Sequence, residues 1–240
     1  MKRLLALLPV LAASASAMPC SSTQYDMLTW FALGSSLSQQ SHLTGNANPL
    51  YTYRGNGVFY WLKGHSGYPW DVNYYDNNYI YQWATEYKWT DPTSYKSFNS
   101  TTTMPWSPRC VEKPAVGVYG RKLATITMPS SPYTIYGGNC AAIANKNLGY
   151  VVNDILGPTL LSLSGSLPNN APTLTLSYRY SCSSSYNSCL YKETFDFQKS
   201  YGLVRWTYYV LQNGKYVQQN QTVFNKLANG GSPAPFHPCW

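Results

Sequence analysis

Glu193 is an acidic residue on the otherwise apolar side of a predicted strand at 190–197. An ionised carboxylate in such a place is costly unless it is paired or lies in a cleft. Burial beside aromatic rings raises the pKa of a carboxyl group, which makes a proton donor suited to cleaving a glycosidic bond. We therefore predict Glu193 as a catalytic acid, with Tyr178 orienting or transferring the proton. A structural Glu193 near the end of the sheet is the alternative.

A lyase reaction would use different groups. β-Elimination of a uronic acid polymer needs a Tyr or His base, and Arg, Gln or Asn side chains that stabilise the substrate carboxylate. His65 is the histidine placed near aromatic and basic residues, and Arg54 lies in the same glycine-containing segment. Hydrolysis would instead need two carboxylates about 5–9 Å apart. The nine acidic residues offer three partners for Glu193, namely Asp71, Glu86 and Asp196.

The position of Glu193 follows from a predicted hairpin closed by a disulfide. Cys182 and Cys189 bracket a polar turn between two strand-like runs, 173–181 and 190–197. Pairing these cysteines sets Tyr178 opposite Glu193. Because strand side chains alternate between faces, the remaining residues of that face are apolar or aromatic: Leu174, Leu176, Tyr180, Tyr191, Phe195 and Phe197. The other face carries polar and charged residues suited to solvent.

A second hairpin is predicted from Val204 to Val223, because Asn-Gly favours a type I′ turn. Its register sets Trp206 opposite Gln221 and Tyr208 opposite Gln219. If a glycan on Asn220 marks the outer face, these four residues face inward. They would then line a saccharide groove, where rings stack on sugar faces and amides bind hydroxyls. A buried, hydrogen-bonded amide pair is the alternative.

A third hairpin is predicted from Asp71 to Trp83, with a three-residue turn at 76–78. This register sets Tyr75 opposite Tyr79, Asn73 opposite Tyr81 and Asp71 opposite Trp83. Since these six would share one face, we predict further substrate contacts from Asp71, Tyr79 and Tyr81. Arg54, in the separate segment 54–70, is another predicted substrate contact. Plain cross-strand packing of the aromatic rings is the alternative.

The N-terminus predicts export. A basic start, a short apolar run and an Ala-Ser-Ala site make residues 1–17 a signal peptide, so we expect a secreted, extracellular domain over 18–240. Two sequons, at Asn99 and Asn220, are then glycosylation sites. Six cysteines allow up to three disulfides with several pairings. The cysteine and histidine spacings fit no zinc site, and we expect neither metal nor cofactor.

Composition excludes several classes of protein. Charged residues make up 11% of the chain and aromatic residues 16%, whereas disordered chains are charge-rich and aromatic-poor. The net charge of +8 comes from basic residues spread along the chain, so we expect no nucleic-acid partner. Beyond the leader, no apolar run approaches the ~20 residues of a membrane span. We expect a monomer.

Short aromatic and β-branched runs, separated by Gly, Pro, Asn and Ser, follow Tyr51. They predict an all-β fold, a single β-sandwich of jelly-roll type, with a minor helical segment at 21–40. The function expected from this surface is cleavage of a polysaccharide or cell-wall glycan, by a lyase acting on an acidic polymer or by a glycoside hydrolase. A non-catalytic glycan-binding module or secreted interaction (effector) protein is the alternative.

Overall fold

The structure is a computed structural model that describes residues 20–31, 38–42, 50–55, 58–63, 69–88, 91–98, 104–137, 139–163, 165, 167–199 and 201–229. Side chains are described within 20–31, 71–85, 104–137, 139–163, 165, 167–199 and 201–224.

Strands dominate the described residues. In chain order the elements are β1 (Gln24–Asp26), α1 (Leu28–Phe31), β2 (Ser38–His42), β3 (Leu50–Gly55), β4 (Val58–Lys63), β5 (Pro69–Tyr75), β6 (Tyr79–Lys88), β7 (Asp91–Phe98), β8 (Met104–Pro108), β9 (Cys110–Glu112), β10 (Arg121–Met128), β11 (Pro132–Tyr136), β12 (Ala142–Asn147), β13 (Tyr150–Leu161), β14 (Ala171–Cys182), β15 (Cys189–Gln198), β16 (Gly202–Gln212) and β17 (Lys215–Asn229). The predicted all-β class is confirmed.

Antiparallel pairing links the strands into one long path. Its order is β10-β13-β14-β15-β16-β17-β2-β3-β4-β5-β6-β7-β11-β12, with β8 paired to β6, while β1 and β9 pair separately. Strand β17 joins the two halves of the path, because its first part pairs with β16 and its last part with β2. We call β10 and β13–β17 the C-terminal sheet.

The helical segment is much shorter than expected. Helix α1 has four residues, and strands β1 and β2 occupy parts of the 21–40 range that predicted it. The Asp26 side chain starts the helix by accepting a hydrogen bond from the Leu28 backbone N–H at 3.0 Å. Arg109 holds the same carboxylate at 2.5 Å. Helix α1 places Leu28, Trp30 and Phe31 in the core.

One buried cluster joins the two halves of the strand path. Trp106 of β8 lies 5.1 Å from Phe195 of β15, and Phe31 stacks on Phe197 at 4.2 Å, between ring centroids. The Asn153 side chain of β13 donates a hydrogen bond to the Pro105 carbonyl of β8 at 2.8 Å. The core therefore lies between the C-terminal sheet on one side and β8 with α1 on the other.

The hairpin of β14 and β15 has the predicted register. Cys182 pairs with Cys189, Tyr178 with Glu193, and Leu176 with Phe195. The Cys182–Cys189 disulfide closes its tip, and a second disulfide joins Cys20 to Cys110. Cross-strand pairing and the disulfide agree, because the loop length and the period-two alternation point to the same register.

The hairpin of β16 and β17 follows its predicted register only near the turn. Asn213 and Gly214 have φ angles of 49° and 76°, as a type I′ turn requires, and Val210 pairs with Val217. A bulge then leaves Gln219 without a partner. Beyond it Tyr208 pairs with Asn220, Trp206 with Thr222, and Thr207 with Gln221. The predicted pairing of Trp206 with Gln221 and Tyr208 with Gln219 is therefore wrong.

The predicted register of β5 and β6 is also wrong. Tyr75 pairs with Ile80, and Tyr74 with Tyr81, because the loop has two residues, Asn77 and Asn78, rather than three. The Asp76 carboxylate explains the short loop, since it accepts hydrogen bonds from the Asn78 and Tyr79 backbone N–H groups at 2.7 and 2.8 Å. Asp71 and Tyr81 consequently lie on opposite faces of the hairpin.

Candidate functional site

The core-facing side of the C-terminal sheet changes from apolar to aromatic toward the hairpin tips. Its deep rows contain Leu176 and Phe195, which are 1% and 2% exposed. Closer to the tips, Tyr180 pairs with Tyr191, and Glu193 pairs with both Tyr178 and Tyr208. The rings are half-buried there, apart from the buried Tyr178. Aromatic surface thus emerges where the core ends.

Four half-buried rings form a continuous surface, which we call the aromatic strip: Tyr180, Tyr191, Tyr208 and Trp206. Ring centroids lie 5.1 Å apart between Tyr180 and Tyr191, and 6.3 Å apart between Tyr191 and Tyr208. Trp206 and Tyr208 are 6.5 Å apart with ring planes only 5° from parallel. Alternation on three neighbouring strands brings the rings together, so the strip is a stack of nearly parallel, half-buried rings on one side of the sheet.

The Glu193 carboxylate lies within the aromatic strip. Trp206 Nε1 donates a hydrogen bond to its Oε2 at 2.7 Å, and the Tyr180 hydroxyl donates to its Oε1 at 3.3 Å. In both contacts the Glu193 carboxylate is the acceptor, whereas a catalytic acid would donate a proton from this group.

Tyr178 belongs to the buried end of this face. Its ring lies 4.7 Å from that of Tyr180 and 6.4 Å from that of Trp106. Burial raises the pKa of the Tyr178 phenol well above its usual value, and the charges of Glu193 and Asp71 raise it further. Its phenol therefore holds its proton at neutral pH, which does not suit a general base.

Asp71 lies behind Tyr178, inside the protein. It is 2% exposed, and Gln82 Nε2 donates a hydrogen bond to its Oδ1 at 3.2 Å. Trp106 Nε1 in turn donates to Gln82 Oε1 at 3.1 Å. Asp71 of the β5–β6 hairpin lies close enough to Tyr178 of the β14–β15 hairpin for its charge to raise the pKa of that phenol. Burial keeps Asp71 from direct contact with a large ligand.

Tyr79 and Tyr81 pack around their own turn. The Tyr81 hydroxyl donates to Asp76 Oδ2 at 3.0 Å, and the Tyr81 ring stacks on Tyr74 at 4.5 Å. Burial, followed by the contact with Asp76, raises the pKa of the Tyr81 phenol. Tyr79 is 39% exposed. These rings do not share a face with Asp71, contrary to the predicted grouping.

The amide residues predicted for the groove occupy other positions. Gln221 lies opposite Thr207, on the other face from Trp206, and donates a hydrogen bond to the Thr207 hydroxyl at 3.2 Å. Gln219 sits at the bulge and donates to the Val217 carbonyl. Asn220, expected on the outer face, is exposed and lies opposite Tyr208 of the aromatic strip. The bulge places Asn220 and Gln221 on the faces opposite to those predicted, because one extra residue reverses the alternation of side chains.

Four predicted residues have no described side chain. Glu86, a predicted carboxylate partner of Glu193, lies in β6 opposite Tyr95, and its side chain is outside the described residues. Arg54 lies in β3 opposite Phe59, and its side chain is outside the described residues. His65 and Asn99 lie wholly outside the described residues.

The opposite face of the C-terminal sheet holds a charged network that sequence reasoning treated as ordinary solvent-facing residues. Arg179 Nη2 lies 2.5 Å from Asp154 Oδ2, and Lys122 Nζ lies 3.7 Å from Asp154 Oδ1. Arg205 Nε lies 2.6 Å from Asp196 Oδ2. The alternation of β14–β16 did predict that Arg179, Arg205 and Asp196 face away from the core. Asp154 and Lys122 could not be added to them, because these two residues come from strands that no predicted hairpin included.

Lys192 lies between these ion pairs and makes none among the described residues. Its Nζ lies 4.6 Å from the centroid of the Tyr209 ring and 5.2 Å from that of the Tyr216 ring. Burial and the neighbouring charge of Arg179 lower the pKa of the Lys192 amine, against a smaller opposing effect of Asp196. The lysine is therefore held among aromatic rings and positive charge.

No protein-family model, curated protein or solved structure matches this chain. Within the described ranges, no helix has the length and apolar character needed to cross a membrane. Where side chains are described, no group of three or more His, Cys, Asp or Glu residues is placed to hold a metal ion.

Proposed function

We propose that this protein is a secreted glycan-binding protein whose aromatic strip receives a saccharide. The observation that carries the proposal is the set of nearly parallel, half-buried rings arranged around the hydrogen-bonded carboxylate of Glu193. Ring faces of this kind stack on the apolar faces of sugars, and a carboxylate accepts hydrogen bonds from sugar hydroxyls.

The strip is already ordered before a ligand arrives, which supports binding. Trp206 and Tyr180 donate hydrogen bonds to Glu193, so its carboxylate is held in a fixed position. Preorganised side chains lose little conformational entropy when a ligand binds. The half-burial of the rings leaves part of each side chain exposed to a ligand, while Tyr180 and Trp206 pack against the core.

A binding experiment tests this proposal with a matched pair of variants. Trp206→Ala removes a ring from the strip, whereas Tyr209→Ala removes a ring from the opposite face of the same strand. Against a panel of neutral polysaccharides, we expect Trp206→Ala to weaken binding about tenfold or more, which equals roughly 1.4 kcal/mol. Circular dichroism checks that both variants fold. Equal binding by both variants and the wild-type protein would reject the strip as the binding site.

Cleavage of a polysaccharide, by a lyase or a glycoside hydrolase, is the second candidate function. One observation favours it: a partly exposed carboxylate and a tyrosine hydroxyl, on Glu193 and Tyr180, lie 3.3 Å apart on a ligand-accessible face. Proton transfer between such groups and a substrate is a common catalytic step. Binding ranks first because Glu193 is the acceptor in both of these hydrogen bonds, and because Asp71, one of its predicted carboxylate partners, is buried.

A depolymerisation screen over neutral and acidic polysaccharides separates the two functions. Unsaturated uronate products absorb in the ultraviolet and identify a lyase, while new reducing ends without that absorbance identify a hydrolase. If either activity appears, Glu193→Gln should abolish most turnover and keep binding. Turnover retained within about tenfold would exclude Glu193 as the proton donor.

We further propose that the domain is a monomeric jelly-roll sandwich that acts outside the cell. The leader at 1–17 and the disulfides support export. Sequencing the N-terminus of the secreted protein tests cleavage after Ala17, and light scattering tests the monomer.

A further inference from the structure

We propose that the outer face of the C-terminal sheet is a second binding site, which takes a carboxylated polysaccharide such as a polyuronate. We call this surface the cationic face and define it by four side chains: Lys122, Arg179, Lys192 and Arg205. It lies on the other side of β14–β16 from the aromatic strip. The inference does not depend on the function proposed for the strip.

The acidic side chains of this face are more deeply buried than the basic ones. The Asp154 and Asp196 side chains are 9% and 5% exposed, whereas those of Arg179 and Arg205 are 24% and 29% exposed. Lys122 is 59% exposed. The two carboxylates therefore lie beneath the cations, and an approaching ligand meets positive charge first.

Positive charge exceeds negative charge within the cationic face. Four basic side chains share two carboxylates, Asp154 and Asp196, so the local formal charge is 4 − 2 = +2. Burial and the repulsion from Arg179 lower the pKa of the Lys192 amine. A bound anion would relieve that repulsion, and a carboxylate matches the planar fork of an Arg side chain.

The floor of the face is small and hydroxylated. Ser177, Thr194 and Thr207 form one row across β14, β15 and β16, and all three are buried. On one side of this row stand Arg179 and Lys192, and on the other side stand larger residues of the Asp196 row. Because these short side chains are buried, the longer side chains of the neighbouring rows form the surface that a ligand meets. The four cations are spread across β10, β14, β15 and β16, so an extended chain with carboxylates along its length can contact several of them at once.

Two features favour a polyuronate over a nucleic acid. The rings of Tyr209 and Tyr216 are engaged with Lys192, so they are not free to stack on bases as single-strand binding requires. The local excess of charge is also small, whereas nucleic-acid surfaces concentrate many cations along the phosphate backbone.

The test measures binding of the full chain to a homogeneous polygalacturonate oligomer at several salt concentrations. Two variants each remove one positive charge: Lys192→Gln on the cationic face and Lys146→Gln on the exposed β12, at the far end of the strand path. We expect Lys192→Gln to weaken binding about threefold to fivefold and to flatten its salt dependence. Lys146→Gln should stay close to the wild-type protein.

A third variant keeps the test decisive if Lys192→Gln fails to fold. Lys122→Gln changes a largely exposed side chain and should also weaken binding, by about twofold to threefold. Equal weakening by all three variants would show a net-charge effect and overturn the site. Absence of binding at low salt, or tighter binding of a single-stranded DNA of equal charge, would also overturn it.

Discussion

The two faces of the C-terminal sheet use the same backbone and hold acidic residues in different ways. On one face Glu193 accepts hydrogen bonds from the neutral donors Trp206 and Tyr180. On the other face Asp154 and Asp196 each bind an arginine. The arginines balance the two aspartates on the other face, and Lys122 and Lys192 add the positive excess there. Alternation along three strands thus builds two surfaces of opposite character.

The two faces also gain their stability in different ways. The aromatic strip continues into the core, because Tyr180 stacks on the buried Tyr178 and Trp206 pairs with the buried Phe195. The cationic face has ion pairs over a floor of small residues, with only a small apolar cluster of Leu163, Leu167 and Val204 nearby. We therefore expect large-to-small changes to matter most on the first face, and loss of a buried charge partner to matter most on the second.

The largest effect is expected from Asp196→Ala on the cationic face. Asp196 is 3% exposed and holds both Arg205 and the Thr175 hydroxyl. Removing it leaves a partly buried guanidinium without its partner, so the free energy of unfolding should fall by about 3 kcal/mol. Urea denaturation at pH 7 measures this change.

Glu112→Ala is the matched control for Asp196→Ala. Glu112 is exposed and accepts one hydrogen bond from Gln24 at 2.7 Å. Its removal should change the free energy of unfolding by about 0.5 kcal/mol or less. Similar losses in the two variants would show that the ion pair does not stabilise the cationic face.

A smaller loss is expected from Trp206→Ala on the aromatic strip. Trp206 is half-buried, so its removal should cost about 2 kcal/mol, below the 3–5 kcal/mol typical of a fully buried aromatic residue. Trp206→Phe keeps a ring but loses the indole N–H that binds Glu193, and should cost about 1 kcal/mol. If the two variants unfold at the same urea concentration, the hydrogen bond rather than the ring anchors the strip.

Alkaline pH should affect the strip through Tyr180. Burial, followed by the charge of Glu193, raises the pKa of the Tyr180 phenol above its usual value near 10. Above pH 10 the unfolded chain loses this proton and the folded chain keeps it, so the wild-type protein loses about 1.4 kcal/mol of stability per pH unit from this residue. Tyr180→Phe should therefore show a shallower decline between pH 10 and 11. Parallel declines would contradict the raised pKa.

The smallest effect is expected from Lys192→Gln. Its loss relieves burial of a charge and repulsion from Arg179, but removes contacts with two rings, so stability at pH 7 should change by about 0.5 kcal/mol or less. Folding lowers the pKa of Lys192, so the charged amine destabilises the wild-type protein at pH values below its folded pKa. This destabilisation is absent above the unfolded pKa of about 10.4, where the amine is neutral in both states. The stability difference should thus shift toward the wild-type protein as pH rises through this range. Thermal melts at pH 7 and pH 11 measure the shift.

Local chemistry was sufficient to predict the β14–β15 hairpin and the turn after β16. Cys182 and Cys189 fix a loop length, and Asn213-Gly214 fixes a turn type, so each register follows from a few neighbouring residues. The bulge at Gln219 has no comparable local signal. The two-residue loop before Tyr79 depends on the Asp76 side chain, whose hydrogen bonds to the backbone were not anticipated.

Alternation and loop length are local properties, so they were enough to predict antiparallel β-hairpins and to place Glu193 on one face with Tyr178. The folded chain was needed to show that Trp206 and Tyr180 bind Glu193, that Asp71 lies near Tyr178, and that Asp154 binds Arg179 and Lys122. These contacts join residues far apart in the chain. Strand order and a single-residue bulge decide which residues meet, and neither produces a periodic pattern that can be recognised in the sequence.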